Sequence, residues 1–341
     1  MSAPKPNGTF KVSVVVPVYN TAEYLPECLD SLVGQSIGLD AIQIVIVDDG
    51  STDGSDEVVK AYAERYPANI VCLSQENGGQ GAARNLGLSR CEGEYVGFMD
   101  SDDFADVNMY EAMYAAAKEA DADMCVCGID SFCDEGGKRV SGMQCQLPPN
   151  PLTPMSLFLA PQTQPPIRLV RRRMLVNNGV RFPVTRGSED NGFHFKMAPF
   201  CQTVVAVRAP MIRRRLRSES TASTISAAFC EQFFSVADDV LEFYSEHGLF
   251  DDYGELLEAA LVRMLLCSRL GCIGLVEGRV MRGALTDKTL DYIEKHFPHR
   301  KKNRYLSGLM GLYLKNAGRL TVGLSRAFFA ARYKQLICIG G

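Results

Sequence analysis

Three short apolar runs, each ending at a polar cluster, constrain this chain more than any other feature. Val12-Ser13-Val14-Val15-Val16 leads into Pro17-Val18-Tyr19-Asn20, and Ile42 to Val47 leads into Asp48-Asp49-Gly50-Ser51-Thr52-Asp53. Glu94-Tyr95-Val96-Gly97-Phe98-Met99 leads into Asp100-Ser101-Asp102-Asp103. Runs of this length and composition read as strands buried on both faces. Between them, Leu25, Cys28, Leu29 and Leu32 carry helical spacing, as do Val58, Val59 and Tyr62, and then Tyr110, Met113, Tyr114 and Ala117. Strands alternating with helices imply an α/β fold, a mainly parallel sheet flanked by helices. Ligands of such sheets bind outside the carboxyl ends of the strands. Adjacent acids there add little to stability and suit a cation held together with a phosphorylated ligand.

Further strands are expected at Ile70–Leu73 and Met124–Cys127, with a helix from Asn77-Gly78-Gly79-Gln80-Gly81 through Leu88. Residues 136–166 lack periodicity and read as a long loop, followed by a helix around Val170–Asn178. From about Ala227 onward the pattern is helical, with one stripe at Phe233, Val236, Ala237, Val240, Leu241 and Tyr244 and another at Leu257, Ala260, Leu261, Met264 and Leu265. The expected organisation is a first domain over 1–225, with a nucleotide half at 10–130 and an acceptor half at 131–225. A helical C-terminal domain with a basic tail over 226–341 follows.

The formal charge of −4 hides an asymmetry. Lys295 to Gly341 holds ten Lys/Arg and no Asp or Glu, and with that +10 set aside the remainder carries −14. A basic end of this kind suits an anionic surface. Its aromatic and aliphatic residues (Tyr305, Leu309, Leu312, Leu324, Phe328) fit either an interfacial helix or a bundle with a solvated basic side. No nucleic-acid reading motif accompanies it, so nucleic acid is not expected as a partner. No secretory signal and no run of eighteen apolar residues is seen, and the twelve cysteines read as reduced thiols of a cytoplasmic protein. Cys125, Cys127, Cys133 and Cys145 lack zinc spacing and a nearby histidine.

Each polar cluster has a plain reading and a chemical one. Asp100-Ser101-Asp102-Asp103 could cap the helix after Val107 or hold Mg²⁺ or Mn²⁺ against a diphosphate. Asp48-Asp49 could serve turn chemistry or accept hydrogen bonds from a base or ribose. The glycines through Gly79 let an anion approach backbone N–H groups at a helix start, and Arg84 adds a forked donor suited to phosphate. Glu189-Asp190 could be the first turn of a helix or supply a general base. No dinucleotide fingerprint or P-loop is present.

Taken together, Pro17-Val18-Tyr19-Asn20, Val47-Asp48-Asp49-Gly50-Ser51-Thr52-Asp53, Asn77-Gly78-Gly79 with Ala83-Arg84-Asn85, and Asp100-Ser101-Asp102-Asp103 resemble the family-2 glycosyltransferases of GT-A fold. The likeness covers about the first 130 residues and continues more weakly through Val180-Arg181-Phe182-Pro183 and Glu189-Asp190 to Arg215, Arg217 and Ser220. It implies an inverting, metal-assisted transfer of a sugar from a nucleoside diphosphate, UDP above others, to a hydroxyl of a cell-surface glycan or lipid-linked acceptor. By the same resemblance Pro17, Tyr19, Asp49, Gly79, Arg84, Asp100 and Ser101 bind the nucleotide sugar, Asp102 and Asp103 hold Mn²⁺ or Mg²⁺, and Asp190 is the catalytic base. The implied location is cytoplasmic, peripheral at the inner face of the membrane. A nucleotidyltransferase of related fold and a non-catalytic nucleotide-sugar-binding module are the alternatives. The first would normally carry a Gly-rich basic loop after its first strand, where Pro17-Val18-Tyr19-Asn20 stands.

Overall fold

The structure, a computed structural model, describes residues 10–135, 138–145, 152–160, 162–216 and 225–337. By their contacts the residues fall into two compact units, 1–154 with 162–216, and 155–161 with 217–341.

The first unit is built on a nine-stranded sheet. Its opening half runs β1 (Val12–Val18), α1 (Leu25–Val33), β2 (Ile42–Asp48), α2 (Ser55–Arg65), β3 (Ile70–Ser74), α3 (Gln80–Leu88) and β4 (Tyr95–Phe98). All seven residues of β1 and all four of β4 are buried, which is why their sequences are continuous apolar runs rather than alternating ones. The four strands lie in the order β3-β2-β1-β4 and are mutually parallel. The chain runs outward from β1 to β2 and β3 and then crosses back to β4 on the other side of β1, so the switch point of the sheet falls between the ends of β1 and β4. Those ends carry Tyr19 and Asp100. Helix α3 presses against this region closely: a Cβ on Gly87 would lie 2.4 Å from Val15 Cγ1.

The rest of the unit holds β5 (Phe104–Ala105), α4 (Met109–Glu119), β6 (Met124–Glu135), β7 (Lys138–Cys145), β8 (Arg168–Arg171), α6 (Arg172–Asn177), α7 (Glu189–Met197) and β9 (Val204–Arg215). The short helix α5 (Pro154–Leu159) precedes β8. Here the sheet turns mixed: β8 is antiparallel to both β4 and β6, β9 is parallel to β6, and β5 is antiparallel to β9. Two expectations change. The helix expected over Val170–Asn178 begins only at Arg172, because residues 168–171 are laddered on both sides as a strand. The loop expected over 136–166 contains β7, paired only with β6, and α5. A basic strand with one partner lacks the apolar run that signals a central strand. Arg213, Arg214 and Arg215 end a twelve-residue strand, with Arg213 paired with Asp130 and Arg214 exposed. Arg217 and Ser220 lie outside the described residues. Cys125 and Cys127 are buried in β6 and free.

The second unit is helical: α8 (Ala227–Glu246), α9 (Phe250–Arg263) running through a π-helical turn at Met264–Arg269 into α10 (Leu270–Leu275), α11 (Arg279–His296), α12 (Gly308–Asn316) and α13 (Arg319–Ile337). Phe233, Val236, Ala237, Val240 and Tyr244 form the buried stripe of α8, and Leu257, Ala260 and Leu261 that of α9. Helix α5 joins this unit by stacking Phe158 on Tyr253 and by the Leu159 carbonyl, which accepts from Arg263. Among the described residues no helix is long and apolar enough to cross a membrane.

Candidate active site

The start of α3 gathers the acids that the sequence places far apart. Asp49, at the end of β2, is buried. Its Oδ1 accepts from Gln75 Nε2 (2.7 Å) and the Gly78 N–H (2.9 Å), and its Oδ2 from the Gly79 N–H (2.9 Å). Gly79 adopts φ 88°, ψ 164°, a conformation costly for any residue with a Cβ, and the helix begins at the next residue. That next residue, Gln80, donates to Asp100 Oδ1 at 3.0 Å. One turn later Arg84 donates to the same oxygen at 2.8 Å, to Asp190 Oδ1 at 2.8 Å and to Glu189 Oε1 at 3.1 Å. Residues 80 and 84 share a helix face, so two positions of one helix, with Gly78 and Gly79 just ahead of it, tie the ends of β2 and β4 to the start of α7.

Asn85 makes the second tie. Its amide exchanges two 2.8 Å hydrogen bonds with the backbone of Phe182, donating to the carbonyl and accepting from the N–H. Phe182 in turn stacks on Phe193 at 3.9 Å, with Phe98 against the edge of both rings. A Cβ on Gly81 would come within 2.5 Å of the Pro183 carbonyl oxygen, so only glycine lets this loop lie so close to α3.

Arg84 is 1% exposed. Burial pulls its pKa down, and the fields of Asp190, Asp100 and Glu189 more than reverse that, so the guanidinium stays charged. Here it tethers three carboxylates. Asp190 keeps 32% of its side chain exposed. Burial raises its carboxyl, to about 7, against the lowering fields of Arg84 and Arg168, and Glu189 and Asp100 push the same way as burial. Just ahead of it, Ser188 sits at φ 64°, ψ 9°, a left-handed conformation unfavourable for serine by about 1 kcal/mol or more. That strain stands at the entry to the helix that carries Asp190.

At the end of β4 the chain turns sharply, with the Asp103 N–H donating to the Asp100 carbonyl. Ser101 is buried and accepts from Thr21 Oγ1 at 2.9 Å, locking the β1 and β4 ends together. Asp102 remains partly exposed, whereas Asp103 is buried and accepts from the Arg215 N–H at 2.8 Å. Burial first, then repulsion by Asp102 and Asp100, pushes the Asp103 carboxyl well above the usual range. A divalent cation would relieve that repulsion, and carboxylate oxygens suit Mg²⁺ or Mn²⁺. Among the described residues no three His, Cys, Asp or Glu side chains are grouped to hold a metal. The protein fits such an ion with one or two carboxylates only, leaving phosphate oxygens to complete the shell.

On the other side of the switch point Tyr19 is half-exposed, Pro17 is buried in β1, and Asn20 at φ 50° bridges to the next loop by accepting from the Thr52 N–H. The residues singled out from sequence therefore surround one stretch of the sheet's carboxyl edge. Gln75 and Gln80 join them as partners that sequence reading did not assign, and Glu189 joins as a partner of Arg84. For Gln80 the spacing of four to Arg84 is a usable signal; for Glu189 and Gln75 the contacts are long-range and leave none. His194 is buried, with its Nδ1 2.7 Å from Arg168 Nη2, a packing position.

Known proteins resemble this chain in sequence and in fold. Residues 13–178 match the family described as Glycosyl transferase family 2. EpsH of Bacillus subtilis, named as a glycosyltransferase, is 29% identical over 261 residues, 74% of each chain. The poly(ribitol-phosphate) beta-glucosyltransferase of Bacillus spizizenii is 31% identical over 54% of this chain and 28% of its own. Other relatives are matched over 14% to 41% of their own length. Among solved structures, S. aureus TarS 1-349 in complex with UDP-GlcNAc superposes with a TM-score of 0.69 over 96% of this chain and 92% of that one, at 23% identity. That likeness extends the GT-A fold, with its helical C-terminal region, over nearly the whole chain. Over residues 13–178 the chain thus matches glycosyl transferase family 2, and it is a glycosyltransferase of GT-A fold.

Proposed function

We propose that the enzyme transfers a sugar from a UDP-linked donor, with inversion, to a hydroxyl of a cell-surface glycan or lipid-linked acceptor. The observation that carries this reading is the Arg84 tether, which sets Asp190 beside Asp100 at the edge of the sheet with its carboxyl poised near neutrality. A base poised there is ionised often enough to accept a proton and basic enough to take it from a hydroxyl in the transition state. The binding of UDP-GlcNAc by TarS and the polyol-phosphate acceptor named for the Bacillus spizizenii relative support the donor and acceptor classes.

In this reading Tyr19 and Pro17 flank the base, and Asp49 offers the lone pair left over from its three loop contacts to a base N–H. Gly79, Asp100 and Ser101 shape the ribose and sugar subsite. Asp102, with Asp103 behind it, would hold Mn²⁺ or Mg²⁺, which when bound supplies positive charge at the departing diphosphate. The acceptor oxygen attacks the anomeric carbon, the bond to the diphosphate breaks with its electron pair leaving on UDP, and the proton passes to Asp190. Arg84 acts as a positioning residue that keeps Asp190 oriented and Asp100 in register. The reading locates the enzyme in the cytoplasm at the inner face of the membrane, where lipid-linked acceptors are exposed.

The test is a donor screen: each common nucleotide sugar is incubated with the protein and Mn²⁺, and nucleotide release is measured. Release from a UDP-sugar, lost in Asp190→Asn when acceptor is present, is expected. Turnover confined to GDP- or CMP-sugars would overturn the donor assignment, and undiminished transfer by Asp190→Asn would overturn the base.

A further inference from the structure

Helix α13 has two apolar faces, and only one of them is covered. Val322, Phe329 and Ala330 are buried, and the crossing with α10 is so close that a Cβ on Gly274 would lie 2.5 Å from the Ala330 Cβ. On the opposite side Leu320 is 80%, Leu324 75% and Phe328 60% exposed. At about 100° per residue these three, with the exposed Ala327 and Ala331 between them, fill an arc of about 100°. The stripe is continuous over about 17 Å of helix. On α12, which meets α13 through Tyr313 against Phe329 and Ser325, Leu309 is 89% and Leu312 61% exposed. An exposed stripe of large apolar residues at regular spacing marks an interaction site rather than ordinary surface scatter.

Charge decides which partner it fits. On the helical wheel Arg332 borders the stripe beside Phe328, while Arg319 lies about 80° beyond its other edge. Arg319 lies against Asp287 and Asp291 of α11, so its charge is partly spent. Arg332, Lys301 and Lys302 are exposed and Lys315 is half-buried. No acidic residue occurs anywhere from 295 to 341. A bare apolar stripe with a basic flank, on a helix that carries no acid of its own, fits a helix lying in the interface of an anionic bilayer, apolar side down and basic flank at the headgroups.

We propose that the outer face of α13, with Leu309 and Leu312 of α12, is a docking surface for an anionic lipid bilayer, seated by Leu320, Leu324 and Phe328 and oriented by the surrounding Lys and Arg. The proposal depends on no catalytic assignment, and its test uses no donor or acceptor, so it stands or falls separately from the proposed reaction.

The full chain is sedimented with vesicles of phosphatidylglycerol and phosphatidylcholine in equal parts, and with phosphatidylcholine alone. Wild type is expected to bind the mixed vesicles and to bind neutral ones at least about tenfold more weakly, with the difference shrinking as salt is raised. The triple variant Leu320→Glu/Leu324→Glu/Phe328→Glu is expected to lose binding about a hundredfold or more while its circular dichroism and melting temperature stay unchanged, since all three side chains are already in water. Lys301→Ala/Lys302→Ala/Arg332→Ala should weaken binding to the mixed vesicles alone. Equal sedimentation of the apolar variant and wild type would overturn the proposal by leaving only non-specific charge attraction. So would absence of wild-type binding. A wild type that ignores vesicles but dimerises, with a monomeric triple variant, would assign the face to a second copy of the chain instead.

Discussion

Replacing Asp190 by asparagine should abolish transfer and at the same time make the protein more stable at alkaline pH. Holding that carboxyl at about 7 rather than at its ordinary 3.8 corresponds to about 4 kcal/mol disfavouring the charged form. The side chain keeps 32% of its surface exposed, so water screens part of this, and about 1–2 kcal/mol is the realistic gain. The substitution does not orphan Arg84, which retains Asp100 and Glu189. A carboxyl raised in the folded state binds its proton more tightly there than in the unfolded chain, so stability falls as pH rises between the two values. The gain should be absent below about pH 3, where both states are protonated, should grow from about pH 4 and be nearly complete above about pH 7. For a unit of this size about 1–2 kcal/mol corresponds to a rise in melting temperature of about 2–8 °C. Thermal melts of wild type and Asp190→Asn from pH 4 to 8 measure it directly. A variant that melts at or below wild type at pH 8, or a gap that does not change with pH, would refute the electrostatic account of this residue.

Other perturbations probe the same network. The transfer rate at saturating substrate should fall about tenfold between pH 8 and pH 6 as Asp190 becomes protonated, and a rate that is flat across this range would remove it as the base. Arg84→Met leaves three carboxylates facing one another without a counter-charge and should cost about 3–5 kcal/mol; chemical denaturation showing a loss below about 1 kcal/mol would deny the tether its structural role. Gly81→Ala drives a Cβ toward the Pro183 carbonyl and should displace the loop leading to Asp190. Its expected signature is a cost of about 1–3 kcal/mol with transfer reduced more than donor binding, and wild-type kinetics would contradict the close approach.

Much of the nucleotide half was legible because burial on both faces writes itself into sequence. The strands β1, β2 and β4 are unbroken apolar runs and appear within a residue or two of where the runs lie. The second half of the sheet was not. Strand β8 is four residues long and begins and ends with arginine, and it is buried only because β4 and β6 flank it, so nothing local announces a strand. Strand β7 has one partner and therefore needs no apolar run. Residues 155–161 belong with the helical unit through Phe158 and Tyr253, a pairing across ninety-five positions that no periodicity reveals.

At the site, the types and order of Asp49, Arg84, Asp100 and Asp190 were readable, while their partners were not. A forked donor after glycines suggests phosphate, and only the fold discloses that Arg84 is enclosed by acids from positions 100, 189 and 190. Asp49 likewise reads as a ligand acceptor, yet its first task is to hold the backbone of Gly78 and Gly79. Both residues order the site before they serve a substrate. The low free pKa of an isolated aspartate also gives no hint that Asp190 would be raised, because desolvation depends on neighbours that arrive only with folding.

Calorimetric titration of UDP into the protein, with and without Mn²⁺, for wild type and for Asp102→Ala, addresses the central claim most directly. Wild type should bind UDP at least about tenfold more tightly with Mn²⁺ than without it, and Asp102→Ala should lose that enhancement. Equal affinity in all four titrations, or no binding of UDP in any of them, would contradict a nucleoside diphosphate held with a cation at this edge of the sheet.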